Sequence, residues 1–271
     1  MKIYATNPWP SSIVRGQQIA EQLGCPFNAP ESDIQDGEVV VFVKSFNINP
    51  ISLLQRGCKV YLDVVDTDVM LPLISIEPRI NVIAISQRAK EYIKARLPEH
   101  RVVVIDEHHC NFDNIHIEKR FPKTVGYIGS KNRIDCIDFI ATLLREKGFI
   151  FKWLFCEKHE LTRQDVVDFY KSIDIQVNYC LPRIIEGMPP ELKNPLKLAN
   201  AASFGIPTVG YPEMHWKDFN AMFEATTPEL VVTRCLNIQQ LWYRDYSQEF
   251  IQEAKRFHIS KIVEQYKERI V

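Results

Sequence analysis

The chain has 271 residues, of which 46% are hydrophobic and 25% charged, and its formal net charge is -1. These values exclude a disordered protein and indicate a globular one, long enough for one large domain or two of ordinary size. The near-zero charge gives no electrostatic footprint for nucleic acid, so we expect no nucleic-acid partner. A local cluster of lysine and arginine still suffices for a small phosphate ligand.

The seven cysteines are scattered and never spaced as a metal motif, which favours free thiols in a reducing, cytoplasmic setting. The first residues carry no basic-then-apolar leader, so export is not expected. No apolar run reaches the roughly 20 residues that cross a bilayer. We expect any membrane contact to be peripheral.

The first part of the chain alternates predicted strands and helices. Continuous apolar, β-branched runs predict strands at 2–6, 38–45, 59–66, 81–86 and 101–106. Helical spacing predicts helices at 13–24, 49–57 and 88–97. In the second of these, Asn49 can cap the helix, Pro50 suits its first position and Gly57 ends it.

A second alternation of predicted strands and helices begins near residue 120. Strands are predicted at 124–130, 149–155, 174–179 and 206–211. Helices are predicted at 134–148, 161–173 and 194–205, with Thr162 as a cap, and the rest of the chain is predicted helical.

Strands that alternate with helices imply parallel sheets covered on both faces. The restart predicts an α/β protein with two Rossmann-like domains facing a cleft, divided within residues 114–123. We expect a first domain at 1–118, a second at 119–246 and a C-terminal helix at 247–271. That helix either packs on its own domain or crosses back to the first.

The sharpest local signal is KNPLKLANAASFGIPTVGY, residues 193–211. Asn194 can cap a helix in which Pro195 and Leu196 begin the first turn, Lys197 lies within it and Gly205 ends it. The helix macrodipole disfavours a cation there by about 0.3–1 kcal/mol. A bound anion would remove the conflict, because helix N-termini bind phosphate. The alternative is a solvated lysine on an ordinary helix.

The run PLKLANAASFGIPTV resembles the segment P-x-K-(two apolar)-E-(small residues)-G-x-P-V-V of GT-B glycosyltransferases in the glycogen-synthase-like superfamily. DVVDFYKSIDIQVNYCLP, TVGYIGSKNR and VIAISQRAKEYI resemble other segments of that family, in the same order and spacing over residues 81–211. The first 80 residues match only in their strand-helix rhythm. The resemblance implies the GT-B fold and transfer of a sugar from a nucleotide-diphosphate donor, with retention of anomeric configuration.

The chain departs from the family at its two acidic positions. The glutamate that follows the lysine by three residues, and binds donor sugar or ribose hydroxyls in the family, is Asn200 here. An amide can still bind hydroxyls. The family's earlier glutamate falls at Leu192, for which Glu191 or Glu186 is a substitute. The usual Gly-Gly turn of the first loop is also missing.

In parallel sheets, ligands bind beyond the carboxyl ends of the strands. The residues that follow the strands of the second domain are Gly129, Ser130, Lys131 and Arg133, then Cys156, Glu157 and Lys158, then Tyr179 and Cys180. The basic members of this set, together with Lys197, suffice to neutralise a diphosphate. Each basic residue alone is better explained as a solvated loop position, and their shared location at strand ends is what favours a joint phosphate site.

The first domain is expected to bind the acceptor. Asp63 and Asp66 end a strand, and either could deprotonate an acceptor hydroxyl, or simply cap a turn. His109, next to His108, follows another strand and is the third catalytic candidate. No third ligand follows the histidines at helical spacing, so no metal is expected. Trp9 is a candidate for stacking on a sugar ring.

The sequence therefore predicts a metal-independent, hexosyltransferase-like glycosyltransferase. Its partners would be a nucleotide-sugar donor, which is a substrate and not a cofactor, and a glycan, lipid or protein acceptor. One alternative is a glycosyltransferase-like binding subunit without turnover, and another is a sugar-nucleotide epimerase of similar fold. A dinucleotide oxidoreductase is disfavoured, because no G-x-G-x-x-G follows a strand.

Overall fold

The structure is a computed structural model that describes residues 1–6, 10–117, 121–131, 134–156, 161–181, 188–214, 219, 222–240 and 243–271. The chain forms two compact units. Unit 1 comprises Met1–His108, Ile184–Asn194 and Ile259–Val271, and unit 2 comprises His109–Arg183 and Pro195–His258. The predicted bounds of 1–118, 119–246 and 247–271 stay a prediction.

Unit 1 contains a five-stranded parallel sheet whose strands follow chain order. The strands are β1 (Lys2–Ala5), β2 (Val39–Val43), β3 (Lys59–Val64), β4 (Asn81–Ala84) and β5 (Val102–Val104). Each strand pairs in register with its successor, for example Val41 with Tyr61. β2 and β3 are buried almost throughout, as continuous apolar runs require of strands covered on both faces.

The helices of unit 1 begin and end at residues that the sequence marks. A π-helical turn (Ser12–Gln17) leads into α1 (Gln18–Leu23), followed by α2 (Pro50–Gln55), α3 (Leu71–Ile74) and α4 (Gln87–Arg96). Asn49 accepts a hydrogen bond from the Ile51 N–H, and Ser86 accepts one from the Ala89 N–H. Gly24 ends α1 in the left-handed conformation. α3 was not predicted, since four residues are too few to show helical spacing.

The C-terminal part of the chain returns to unit 1 as α10 (Ile259–Arg269). Ile262, Val263 and Tyr266 are buried on its inner side. A short turn at Pro190–Leu192 also belongs to this unit, where the Leu192 carbonyl accepts from the Asp66 N–H at 2.9 Å. The crossing back of the C-terminal helix is thus part of the fold.

Unit 2 also contains a five-stranded parallel sheet, but its order is β10-β9-β8-β6-β7. The strands are β6 (Thr124–Gly129), β7 (Ile150–Phe155), β8 (Ile175–Asn178), β9 (Thr208–Gly210) and β10 (Met222–Glu224). β10 lies in a segment predicted to be helical, and that prediction is wrong. Its three residues, MFE, are too short to show the alternation that indicates a strand.

The helices of unit 2 are α5 (Ile137–Glu146), α6 (Arg163–Lys171), α7 (Leu196–Ser203), α8 (Pro228–Gln240) and α9 (Tyr243–Ala254). Thr162 caps α6 in a reciprocal capping box with Asp165. α7 packs closely on α9 because Gly205 has no side chain. A Cβ at Gly205 would lie 2.1 Å from Ser247 Oγ.

Candidate functional site

Two neighbouring strands of unit 2 end side by side where the connectivity of the sheet reverses. β6 ends at Gly129 and β8 ends at Asn178. From β6 the chain continues to β7 on one side, whereas β8 is followed by β9 and β10 on the other. Open parallel sheets bind ligands in the crevice at such a point. This edge is therefore the first place to look for a ligand site in unit 2.

Gly129 leaves room for a lysine at this edge. Its φ of +145° is a conformation that residues with side chains rarely adopt. A Cβ at Gly129 would lie 2.6 Å from Lys197 Nζ and 2.8 Å from the Tyr127 hydroxyl. The close approach of Lys197 to the end of β6 therefore depends on a glycine.

Lys197 reaches the switch point from the first turn of α7. Its Nζ donates to Asn178 Oδ1 at 3.2 Å and lies 4.9 Å from the centre of the Tyr127 ring. Lys197 follows Leu196, the first residue of α7, so the predicted position of the lysine is confirmed. A cation and a helix N-terminus thus meet at the carboxyl edge of the sheet.

The predicted cap of this helix is wrong. Pro195 occupies the N-cap position with φ -85° and ψ 25°, and no side chain caps the helix, so Asn194 lies one residue outside it. The Pro195 carbonyl accepts from the Ala199 N–H at 2.9 Å. The ψ of Pro195 is 25° instead of the helical value of about -42°, so the proline lies outside the helix and the helix begins one residue later than predicted.

Asn200 is directed towards the backbone of unit 2. Its Oδ1 accepts from the Cys110 N–H at 2.7 Å, and its side chain is buried. Its own carbonyl accepts from the Ser203 hydroxyl. In this structure the amide therefore holds the segment after β5 against α7, in the position where the resembling family carries an acid.

The other predicted residues of unit 2 divide by exposure. The Ser130 carbonyl accepts from the Tyr127 hydroxyl at 2.7 Å, next to Gly129, while Lys131 is exposed. The Tyr179 hydroxyl donates to the Thr226 carbonyl at 3.0 Å within the core, so it is already engaged. Arg133 and Lys158 lie outside the described residues, as do Trp9 and Glu186.

In unit 1, Asp63 is fully buried and paired with Arg15. Arg15 Nε donates to Asp63 Oδ2 at 2.6 Å, and its other nitrogens donate to the carbonyls of Ile105 and Asp106. Burial raises the pKa of Asp63, and the charge of Arg15 opposes the rise. Complete burial weighs against direct contact between Asp63 and an acceptor, and the ion pair with Arg15 indicates a structural role.

Asp66 is more accessible and forms an ion pair with Lys44 at 3.0 Å. Both residues adopt a positive φ, of +62° and +67°. Neither is a glycine, so each conformation costs about 1–3 kcal/mol, a kind of strain that clusters at functional sites. Of the two predicted aspartates, Asp66 is the one that solvent reaches.

Glu107 was not among the predicted residues of unit 1. Its side chain is buried, and its Oε2 has no hydrogen-bond partner among the described residues. Burial raises its pKa to about 8; the charge of Arg15 opposes the rise, and those of Asp66 and Asp63 add to it. A glutamate in a polar run such as DEHHCNFD gives no sequence signal of burial.

His109 belongs to unit 2 and is buried there. Its N–H donates to the Phe257 carbonyl at 2.9 Å, and its ring meets that of His258 with centroids 5.5 Å apart. His108 belongs to unit 1, where its Nε2 lies 2.8 Å from the Val14 carbonyl. The catalytic role of His109 stays a prediction.

The structure therefore brings Gly129, Ser130 and Lys197 together, with Tyr127 and Asn178 as neighbours that the sequence prediction missed. Both missed residues lie within strands, whereas the prediction considered the residues that follow them. Within the described residues, no group of three or more His, Cys, Asp or Glu side chains is placed to hold a metal ion. A cavity of about 690 Å³ in unit 1, lined by Asp68 and Arg96 among others, includes none of the predicted site residues.

No helix in the described parts of the chain is both long and apolar enough to cross a membrane. No protein-family model matches the sequence. No curated protein matches it either.

Solved structures do resemble the chain. TarM matches with a TM-score of 0.65 at 14% identity, over 88% of this chain and 56% of TarM. The lipopolysaccharide outer core galactosyltransferase WaaB matches at 0.57 and 12% identity, over 98% of both chains. The glycosyltransferase SsfS6 of a Streptomyces species, solved with thymidine diphosphate, matches at 0.54 and 11% identity, over 99% of both.

The two α/β units with parallel sheets have the GT-B fold of glycosyltransferases, as the sequence resemblance implied. The chain spans little more than half the length of TarM but nearly the full length of WaaB and SsfS6. At identities of 11–14%, these likenesses establish the fold.

Proposed function

We propose that the protein is a glycosyltransferase that moves a sugar from a nucleoside-diphosphate donor to an acceptor hydroxyl. Unit 2 would hold the diphosphate at the ends of β6 and β8, and unit 1 would bind a glycan, lipid or protein acceptor. The fold supports this class of reaction, since WaaB is named a galactosyltransferase and SsfS6 a glycosyltransferase, and both match over nearly the whole of each chain.

The observation that carries the proposal is the position of Lys197. Its ammonium lies beside Gly129 at the switch point of the sheet, in the first turn of α7. Helix N-termini, lysine ammonium groups and switch points each favour phosphate binding, and here they coincide. The cost of a cation near the positive end of a helix becomes a gain when a diphosphate is bound.

The leaving diphosphate would be stabilised without a metal ion. Charge develops on its oxygens as the bond to the anomeric carbon breaks, and preorganised cations lower that barrier. Lys197 would supply the central charge, and Lys131, Arg133 and Lys158 are the further candidates. Turnover in the presence of EDTA is the expected outcome, and loss of turnover that Mg²⁺ restores would contradict this step.

On the acceptor side, we propose Asp66 as the residue that takes the hydroxyl proton. It is the accessible member of the two predicted aspartates, and Lys44 fixes its orientation at 3.0 Å. Asp63 would instead hold Arg15 in place. The resemblance to retaining enzymes extends the proposal to retention of anomeric configuration, which proton NMR of the product tests directly.

A thermal-shift screen against nucleoside diphosphates and their sugars tests the proposal. A ligand at a hundred times its Kd adds about 2.7 kcal/mol to the free energy of unfolding. We expect stabilisation of the wild-type protein and little for Lys197→Ala. Lys171→Ala, which removes an exposed lysine at the end of α6, is the matched control and should behave as wild type. No shift with any nucleotide, in protein shown to be folded, would refute the proposal.

A binding subunit without turnover is the second candidate, because Asn200 replaces the family's acid and its side-chain oxygen is engaged by Cys110. An assay for transfer of radiolabelled sugar from a bound donor to water or to an added acceptor distinguishes an enzyme from a binding subunit. Transfer supports the enzyme, while tight donor binding with no transfer to any acceptor supports the binding subunit.

A further inference from the structure

Asn178 holds the side chain of Lys197. It is the last residue of β8 and is buried, with 3% of its surface exposed. Its Oδ1 accepts from Lys197 Nζ at 3.2 Å, and its carbonyl accepts from the Tyr211 N–H at 3.3 Å. Because its backbone is fixed by the sheet, the amide is a firm acceptor for the ammonium of Lys197.

Gln176 holds the backbone of the same lysine. Its Nε2 donates to the Lys197 carbonyl at 3.2 Å and to Thr208 Oγ1 at 3.0 Å, and its Oε1 accepts from the Tyr170 hydroxyl at 2.8 Å. Gln176 and Asn178 are two residues apart on β8, so they lie on one face of the strand. One face of β8 therefore fixes both the main chain and the side chain of Lys197.

The ammonium also lies beside β6. The Tyr127 ring lies 4.9 Å from Nζ, and only a glycine at position 129 leaves room for it. A lysine side chain has many rotamers, and part of that rotamer entropy is lost whenever its ammonium is held in place. Fixing it before the ligand arrives removes that cost from binding.

From this geometry we propose that Asn178 is a positioning residue of the diphosphate site, which aims the ammonium of Lys197 at the phosphates. The inference rests on the proposed function. An amide oxygen orients the ammonium while carrying no charge of its own, whereas a carboxylate at the same place would orient it and also neutralise it. Asn178 would thus set how strongly the site discriminates a nucleoside diphosphate from a nucleoside.

The test compares Asn178→Asp and Asn178→Ala with the wild-type chain by calorimetric titration with thymidine diphosphate, uridine diphosphate and the two nucleosides. We expect Asn178→Asp to raise the Kd of the diphosphates by roughly tenfold or more, equal to about 1.4 kcal/mol. Asn178→Ala should raise it by a smaller factor. The Kd of each nucleoside should stay within about twofold, as expected for a group that acts on phosphate alone.

Asn237→Asp is the control for added charge, because Asn237 is exposed on α8 of the same unit. Thermal unfolding without ligand checks that each variant is folded. If Asn178→Asp does not fold, Asn178→Ala carries the test. Equal losses for diphosphate and nucleoside would indicate a purely structural role and overturn the inference. Unchanged diphosphate binding by Asn178→Asp, while Lys197→Ala weakens diphosphate binding, would also overturn the inference. If the wild type binds no nucleotide, both the inference and the proposed function fail.

Discussion

At the scale of single residues, two glycines of unit 2 allow the effect of backbone strain on stability to be distinguished from an effect on ligand binding. Gly129 and Gly148 have φ values of +145° and +84°, so alanine is strained at both. At Gly129 the added methyl would also meet Lys197 Nζ at 2.6 Å, while nothing lies within 4 Å of a methyl at Gly148. Both alanine variants should therefore lose stability, the one at Gly129 more than the one at Gly148, and only the Gly129 variant should also lose ligand binding.

We expect Gly129→Ala to raise the Kd of a nucleoside diphosphate by roughly tenfold, because the lysine must move. Gly148→Ala should bind as wild type, after allowance for its loss of stability. Calorimetric titration measures both. Equal binding by the two variants would mean that the position of the lysine does not matter.

The raised pKa of buried Glu107 predicts how the free energy of unfolding depends on pH. Burial raises its pKa in the folded protein to about 8, above its ordinary value of 4.5, so the folded state binds the extra proton. The contribution of Glu107 to the free energy of unfolding is therefore most favourable below pH 4.5, and it is lost as the pH rises through about 8. The charges that surround it are those of Arg15 and Lys44, of opposite sign, and of Asp63 and Asp66.

Glu107→Gln should remove this part of the pH dependence. In urea unfolding between pH 5 and pH 9, the variant should gain stability relative to wild type as the pH rises, by up to about 1.4 kcal/mol per unit. Glu99→Gln, at an exposed position of unit 1, is the control and should follow wild type. A constant difference between Glu107→Gln and wild type across that range would contradict the assigned proton.

Sequence patterns predicted Lys197 but missed Asn178 and Glu107, and the difference has physical reasons. Lys197 was predicted because a cation in a first helical turn violates a local preference that the sequence makes visible. Asn178 was missed because a polar residue in a strand can face solvent, a partner or the core, and only the contacts of the sheet decide. Glu107 was missed for the same reason, since burial is a property of the fold.

At the scale of elements, predictions succeeded where a short-range rule determines the boundary. Thr162 and Asp165 form the capping box that begins α6, and Gly24 and Gly205 end their helices in the left-handed conformation. These signals are local, so the sequence contains all that they require.

Element predictions failed where length or context outweighs the local signal. β10 and α3 contain three and four residues, too few for either periodicity. The cap of α7 is Pro195 and not Asn194, because the ψ of the proline is not helical. A candidate cap in the sequence therefore sets a helix start to within about two residues.

At the scale of the whole molecule, strand order distinguishes the two units. Both sheets are parallel, and the described strands of unit 1 follow chain order without reversal, whereas those of unit 2 reverse between β6 and β8. The alternation of strands and helices predicted two parallel sheets. It could not predict their order, which depends on pairings between distant residues. The proposed ligand site is inferred from that order and from the position of Lys197, so its location between β6 and β8 could not be predicted from the sequence alone.

The most direct test is a titration of the isotope-labelled chain with thymidine diphosphate, followed by the amide NMR signals of unit 2. We expect saturable shifts centred on Gly129, Ser130 and Lys197, and their loss in Lys197→Ala. Shifts centred instead on residues 1–108, or no shifts at millimolar nucleotide, would contradict a diphosphate site at the ends of β6 and β8.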